Sequence, residues 1–351
     1  MSESFAWYAA LESPDGESLG NVRLDPDLVP AVRCAEFEQT LERGIGAHEQ
    51  CAESVIEPLY STPPWVRGIR IAAPGGNAAS VEFPLSYFTS AVTRAASVLV
   101  DAGKLVAGQR FDFKIYALAQ AQAQHAGELQ IKAVNGPPPI VQGSLAALRL
   151  RSELAGDDVS LAGRDADLAE PMPVFIAERV LDEASELAAR AGEIETGGVL
   201  VGRLCRDADG PAFVEVTAQL PAEHTVATAH SLRLTPRTWV AVDAAIKLRN
   251  RAETALGWWH HHPFFCRRCP AARRALCPFS RPAFSQADRD VHREVFQNPW
   301  NVALLLSYLG GARPSYDVYA WHRGQIEAAR FHILREAGRA SRAHRSAPHA
   351  H

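Results

Sequence analysis

The sequence has few cysteines, no long apolar run and no excess of positive charge. Its six cysteines, at positions 34, 51, 205, 266, 269 and 277, are too scattered for a regular disulfide framework. No stretch approaches the ~18 apolar residues of a membrane-spanning helix, and the N-terminus lacks a basic segment followed by an apolar core. The net charge of −4 gives no general reason to expect nucleic acid. We therefore expect a cytoplasmic protein with reduced thiols and no membrane partner.

The length and composition indicate two folded domains. The chain has 351 residues, of which 47% are hydrophobic and 22% are charged, as in globular proteins. Residues 1–165 are predicted to form an α+β accessory domain that recognises a substrate or partner. Residues 172–335 form a second domain, and the basic residues 336–351 a flexible tail. The polar stretch 155–170 is interpreted as the linker, and the proline-rich segment 135–141 is expected to break regular structure.

Hydrophobic periodicity predicts mixed helices and strands in both halves. In the first half we expect a helix near Val32–Leu41, strands at 66–73 and 80–85 around a PGGN turn, a helix at Tyr87–Val100 and a strand at 110–118. In the second half we expect strands at Val174–Ile176, Gly197–Leu204, Ala212–Leu220, Ala255–His260, Val302–Tyr308, Ser315–Trp321 and Glu327–Ile333, with helices at Ala177–Ala191, Pro236–Leu248 and Arg289–Phe296.

A His-x-His-Pro sequence ends one of these strands. Alternate residues of a strand point to one face, so His260 and His262 are aimed at one site while His261 faces the other way. A histidine-rich strand end with no metal is the plain alternative. The spacing nevertheless makes this pair the strongest candidate for metal ligation.

A Ser-x-x-Asp sequence precedes the helix predicted after residue 288. Ser285 and Asp288 match a helix-capping pattern, which explains them without any chemistry. With two histidines upstream, Asp288 is also a candidate third ligand, and three protein ligands leave one position of a tetrahedral zinc open. The Ser285 hydroxyl is then placed to donate to an oxyanion. Both interpretations are compatible.

Glu195 opens the predicted strand ETGGVLVG. A glutamate before paired glycines is ordinarily a turn residue, but a hydrolytic metal site needs a carboxylate base. Gly197 and Gly198 would let a second strand or a substrate backbone approach closely, and an extended substrate tail could lie along the strand edge there.

Together these residues resemble the motif of the JAB/JAMM (MPN-type) zinc metallopeptidases, in the bacterial deubiquitinase-like branch. The resemblance covers roughly 173–334 and implies an α/β/α domain with a central mixed sheet. It implies that Glu195 is the general base, that His260, His262 and Asp288 bind catalytic Zn2+, and that Ser285 supports the oxyanion. The family usually has a short spacer between the two parts of the motif, whereas residues 264–284 intervene here.

The intervening segment contains three cysteines at metal-knuckle spacing. Cys266, Cys269 and Cys277 predict a second, structural zinc, because a segment rich in arginine and proline has little apolar surface with which to fold. The fourth ligand stays open among His261, Cys205, His292 and other residues. The basic side chains predict contact with an acidic partner or simple solvation; they are Arg267, Arg268, Arg273, Arg274 and Arg281.

The resemblance implies a peptidase or isopeptidase that cleaves after the C-terminal tail of a ubiquitin-like protein. Its partners would be that protein or its conjugate and the cognate activating and conjugating enzymes. Three alternatives remain: a processing peptidase for a sulfur-carrier protein, a non-catalytic MPN-type scaffold, and nucleic-acid binding through the arginine-rich segment, which the net charge disfavours.

Overall fold

The computed structural model describes residues 4–43, 54–72, 80–120, 138–155, 172–192, 194–208, 210–223, 225–227, 232–262, 284–307 and 314–335. The chain divides into two compact units. The first comprises residues 1–137 with Gln297–Pro299 and Trp321–Gln325, and the second comprises the remainder. None of the helices in the described ranges combines the length and apolar character that a bilayer crossing requires.

The first unit is built on a six-stranded antiparallel sheet. The strands run in the order β2-β1-β6-β4-β3, and β5 also pairs with β4. Its elements are β1 (Ser4–Glu12), β2 (Ser18–Leu24), α1 (Val29–Arg43), β3 (Val55–Thr62), β4 (Trp65–Ala72), β5 (Ser80–Pro84), a 3-10 helix (Leu85–Phe88), α2 (Thr89–Asp101) and β6 (Asp112–Gln120).

Large apolar side chains from the sheet and its helices form the core of this unit. Trp7, Ile69 and Ile115 from the strands pack in one cluster with Phe88 and Val92. The predicted helix near Val32–Leu41 and the strands on either side of the PGGN segment are confirmed. The predicted helix at Tyr87–Val100 is a 3-10 turn followed by α2. The PGGN turn itself lies outside the described residues. Strands β1, β2 and β3 were not predicted.

The second half of the chain is dominated by a ten-stranded mixed sheet. Nine strands follow the order β17-β16-β15-β14-β10-β11-β9-β18-β8, β7 pairs with β10, and β12 and β13 form a separate hairpin. The elements are β7 (Ile140–Gln142), α3 (Leu145–Leu150), β8 (Ser152–Ala155), β9 (Val174–Ala177), α4 (Glu178–Ala191), β10 (Gly197–Arg206), β11 (Ala212–Pro221), β12 (Thr225–Ala227), β13 (Leu232–Leu234), α5 (Pro236–Arg249), β14 (Thr254–His262), α6 (Gln286–Val295), β15 (Val302–Ser307), β16 (Ser315–His322), β17 (Gln325–Ala329) and β18 (Phe331–Leu334).

The boundary between the units lies between residues 137 and 138, not near residue 165. Strand β7 pairs in parallel with Leu204–Arg206 of β10, and β8 pairs antiparallel with β18, so both strands belong to the second unit. The expectation that 135–141 breaks all regular structure is therefore wrong at its C-terminal end. Prolines exclude a helix there, but they permit a short strand directly after them. The predicted linker at 155–170 lies outside the described residues except for Ala155, the last residue of β8.

The single strand predicted at Glu327–Ile333 is two strands. Only Arg330 separates β17, which pairs with β16, from β18, which pairs with β9. These strands lie near opposite ends of the strand order. Because only one residue joins them, the sheet must curve enough to bring the end of β17 next to the start of β18. The local pattern carries no turn residue at Arg330, and the break follows from pairing with distant strands.

Strand β14 occupies the interior of this sheet, antiparallel to β10 and parallel to β15. A parallel connection needs a crossover, and α6 lies in the segment between β14 and β15. In such a unit the helix N-terminus lies at the same end of the sheet as the carboxyl end of the preceding strand. The fold therefore brings the last residues of β14 and the first turn of α6 together. The described architecture is of the α/β class with a mixed sheet.

Candidate metal centre

The carboxyl end of β14 presents two histidines on one face. His260 is fully buried and His262 is partly exposed, and their Nε2 atoms lie 3.2 Å apart. The ring of His260 stacks on Trp258, two residues earlier on the same face, with centroids 4.4 Å apart and planes 8° from parallel. Trp258 Nε1 in turn donates to Nδ1 of His292 on α6 at 3.2 Å.

The stacking on Trp258 matters because Nδ1 of His260 is buried without a hydrogen-bond partner among the described residues. A metal-bound histidine is usually oriented by a hydrogen bond from its second nitrogen. Here the aromatic stack fixes the orientation of the ring. Sequence reasoning did not assign Trp258 or His292 to the site, although the i, i+2 spacing of Trp258 and His260 indicates a shared face.

Asp288 reaches the histidines from the first turn of α6. Its Oδ1 lies 3.1 Å from Nε2 of His260, and its Oδ2 lies 3.4 Å from Nε2 of His262. Ser285 is the N-cap: its hydroxyl accepts from the Asp288 N–H at 3.2 Å, and Asp288 Oδ2 accepts from the Ser285 N–H at 2.7 Å. This reciprocal capping box holds the carboxylate in place. The capping and ligand interpretations of Asp288 are therefore compatible in one geometry.

The donor set fits a tetrahedral zinc. Bonds of ~2.1 Å in a tetrahedron place ligand atoms ~3.4 Å apart. The two histidine Nε2 atoms lie 3.2 Å apart, and each faces a different oxygen of the Asp288 carboxylate, at 3.1 and 3.4 Å. Burial lowers the pKa of His260, which keeps its ring neutral and able to ligate. Burial alone would raise the pKa of Asp288, but hydrogen bonds from His260, His262 and Ser285 hold it well below its usual range. An ionised aspartate beside a neutral imidazole suits a divalent cation.

Glu195 lies beside this group and is buried, with 6% of its surface exposed. Burial raises the pKa of its carboxyl to about 7; nearby His262 lowers that pKa and Asp288 raises it. Gly197 pairs with His260, so extending the antiparallel register by two residues places Glu195 opposite His262. Residues opposite one another in an antiparallel pair share a face of the sheet. The structure thus brings together the four residues predicted as base and ligands.

Gly197 and Gly198 do not offer a free strand edge, and the prediction that a substrate tail adds there is wrong. Strand β10 is interior: Gly198 pairs with Trp259 on one side and with Pro221 on the other. The Gly197 carbonyl accepts from the N–H of Ala222 at 3.0 Å. A Cβ on Gly198 would lie 2.3 Å from the Leu220 carbonyl oxygen, so the close approach that glycine permits is used by β11.

Ser285 is exposed, and its hydroxyl oxygen accepts the capping bond from Asp288. Because the oxygen only accepts in that bond, the hydroxyl O–H can still donate to a ligand. The predicted role in supporting an oxyanion is therefore compatible with the cap.

The three cysteines of the predicted knuckle, Cys266, Cys269 and Cys277, lie outside the described residues, as do the five arginines near them.

The three residues that the sequence offered as a fourth ligand have partners among the described residues. Cys205 packs against Leu145, Phe175, Phe213 and Leu334, and burial raises its pKa to about 11. His292 accepts from Trp258, and burial lowers its pKa to about 3. His261 contacts Thr196 through its ring.

Comparisons with known proteins give little further information. No protein-family description and no curated protein matches the sequence. Among solved structures the chain is similar to the solution structure of protein DSY2949 from Desulfitobacterium hafniense. The sequences are 21% identical, the similarity covers 46% of this chain and 92% of the other, and the TM-score is 0.33. A likeness this distant carries no argument about fold or function.

Proposed function

We propose that this protein is a zinc-dependent peptidase or isopeptidase with a JAB/MPN-type catalytic domain. The observation that carries the proposal is the convergence of His260, His262 and Asp288, with Glu195 buried beside them. The three ligand atoms lie within 4.8 Å of one another. The resemblance of these residues to the JAB/JAMM motif supports the same assignment.

Zinc, when bound, would polarise a scissile carbonyl and make an adjacent water more acidic. Glu195 would take the proton of the attacking water and deliver it to the leaving amine. Burial raises the pKa of Glu195 to about 7 in the metal-free protein, and a bound cation would lower it again, so the carboxylate would be available to accept the proton. The Ser285 hydroxyl would donate to the oxyanion of the tetrahedral intermediate. Asp288 and His260, both buried, would hold the metal without competing for that proton.

The proposed substrate is the C-terminal tail of a ubiquitin-like protein, cut from a conjugate or trimmed from a precursor. This substrate class comes from the family resemblance, which also suggests a bacterial conjugation system with activating and conjugating enzymes as further partners. Because the edge near Gly197 and Gly198 is occupied, the tail must approach the metal from another side. The first unit would supply the surface that recognises the intact conjugate.

Metal content and cleavage test the proposal together. Purified protein should contain zinc, and it should cleave a fluorogenic peptide whose C-terminal Gly-Gly is joined to aminomethylcoumarin. Glu195→Gln should keep the zinc and lose at least ~100-fold in kcat, a typical contribution of general acid–base catalysis. Asp288→Asn should lose both the catalytic zinc and activity. A Glu195→Gln variant as active as the parent would remove the assignment of the base.

A sulfur-carrier precursor is the second substrate to test, because it would use the same residues. Cleavage of a carrier-protein fusion together with inertness toward a ubiquitin-like fusion would favour that alternative. Zinc binding with no cleavage of either fusion would instead favour a non-catalytic scaffold.

A further inference from the structure

His261 lies on the opposite face of β14 from the metal ligands and is almost fully buried, with 1% of its surface exposed. A buried polar side chain needs hydrogen-bond partners. The partners of His261 lie in the segment that leads from α4 into β10, and this is the segment that carries Glu195.

Two hydrogen bonds join His261 to Thr196. The His261 N–H donates to the Thr196 carbonyl at 3.0 Å, and the Thr196 N–H donates to Nδ1 of the His261 ring at 3.0 Å. Nδ1 also lies 3.5 Å from the Thr196 carbonyl, but the shorter contact makes it an acceptor. The ring proton then sits on Nε2, which lies 3.5 Å from the carbonyl of Gly192, the C-cap of α4.

The ring therefore extends the pairing of β10 and β14 beyond its last regular pair, Gly197 with His260. Thr196 is held at both its N–H and its carbonyl by one residue. Glu195 directly precedes Thr196 in the chain, and its carboxyl lies on the metal face. Fixing the backbone of Thr196 limits how far that carboxyl can move from His262 and Asp288.

We propose that His261 is a positioning residue for Glu195: its ring clamps the Thr196 backbone and so holds the general base over the metal ligands. The inference rests on the proposed function for its catalytic consequence. The clamp itself is a structural claim that can be measured without activity. His260 and His262 would then bind the metal on one face of the strand, while His261 would position the base from the other face.

Two substitutions separate the clamp from simple packing. His261→Leu keeps a side chain of similar bulk and removes the acceptor. His261→Asn restores an acceptor, since its Oδ1 occupies nearly the position of Nδ1. The matched control is His332→Leu, which removes a half-buried histidine of β18 whose Nδ1 lies 3.1 Å from the Ser152 hydroxyl. Each protein is measured for zinc content, for amide hydrogen exchange at Thr196, and for kcat and KM on the Gly-Gly-aminomethylcoumarin peptide.

We expect His261→Leu to keep the zinc content of the parent, to exchange the Thr196 amide at least ~10-fold faster, and to lose ~10- to 100-fold in kcat with KM within about twofold. His261→Asn should recover both exchange and kcat to within about threefold of the parent, and His332→Leu should change neither. Loss of zinc in His261→Leu, or parental exchange and kcat in that variant, would overturn the proposal. If the parent cleaves nothing, the peptidase assignment fails, while Thr196 exchange in the two His261 variants still decides whether the clamp exists.

Discussion

Replacing Glu195 with Gln should stabilise the metal-free protein, and the gain should depend on pH. Burial beside Asp288 raises the pKa of Glu195 from 4.5 to about 7, so ionisation of this carboxyl opposes folding. Gln has nearly the same shape and cannot ionise. The variant therefore mimics the protonated carboxyl at every pH, and the difference between the two proteins isolates the cost of the charge.

The size and the pH window of this effect follow from the pKa of Glu195. One pKa unit corresponds to about 1.4 kcal/mol, so the full cost of the charge is ~3 kcal/mol. A group whose pKa is raised on folding costs nothing while both states are protonated, below pH 4.5. The cost grows as pH rises from 4.5 to 7 and is constant above that. The stability difference should be below ~1 kcal/mol at pH 5 and ~3 kcal/mol at pH 8.

Urea denaturation in the presence of a chelator, at pH 5, 6, 7 and 8, measures this difference. The control is Glu186→Gln: Glu186 is an exposed residue of α4 whose side chain is 74% accessible, so its substitution should give a small difference that does not vary with pH. Adding zinc should shrink the gap for Glu195→Gln, because a nearby cation favours the ionised carboxyl. A gap of equal size at pH 5 and pH 8 would refute the placement of Glu195 beside Asp288 in a buried site.

Three further outcomes are expected. Trp258→Ala should destabilise the protein by ~3 to 5 kcal/mol in urea denaturation and weaken zinc binding, since it removes a buried ring and the stack that orients His260; parental zinc affinity would contradict the role of the stack. Cys266→Ser with Cys269→Ser should lower the zinc content from two to one per chain by metal analysis, and one zinc in both proteins would remove the predicted knuckle. A fragment beginning at residue 138 should melt at a higher temperature than one beginning at 166, because only the first keeps β7 and β8; equal melting temperatures would contradict the boundary at 137.

The elements that the sequence predicts well are those with a clear local hydrophobic periodicity. Strand β14 and helix α6 have clear patterns, although α6 begins at Gln286 rather than at the predicted Arg289, so that Asp288 lies in its first turn. The site follows from these two elements, because a strand end and a capped helix start are both local features. The pairing partners of a strand are not local. The glycines at 197 and 198 indicate a close approach, but the local sequence does not say whether a strand or a substrate makes it, and nothing near Ile140 indicates that it pairs with Leu204. For the same reason the prediction of a substrate site at a strand edge near Gly197 and Gly198 was wrong, whereas the predicted metal ligands do lie close together.

The geometry of the site depends on the register of β14 as much as on its histidines. A slip of one residue would turn His261 toward the metal face and carry His260 and His262 away from it. That slip is opposed on both faces of the strand, because Trp258 and Trp259 point to opposite sides and are each buried, with 1% and 0% exposure. A third constraint is Gly257, where a Cβ would lie 1.8 Å from the Val302 carbonyl oxygen, so no other residue of the strand can take its place against β15. The metal site is therefore specified by the apolar packing upstream of it, and substitutions at Gly257 or Trp259 should weaken zinc binding although neither residue is itself a ligand.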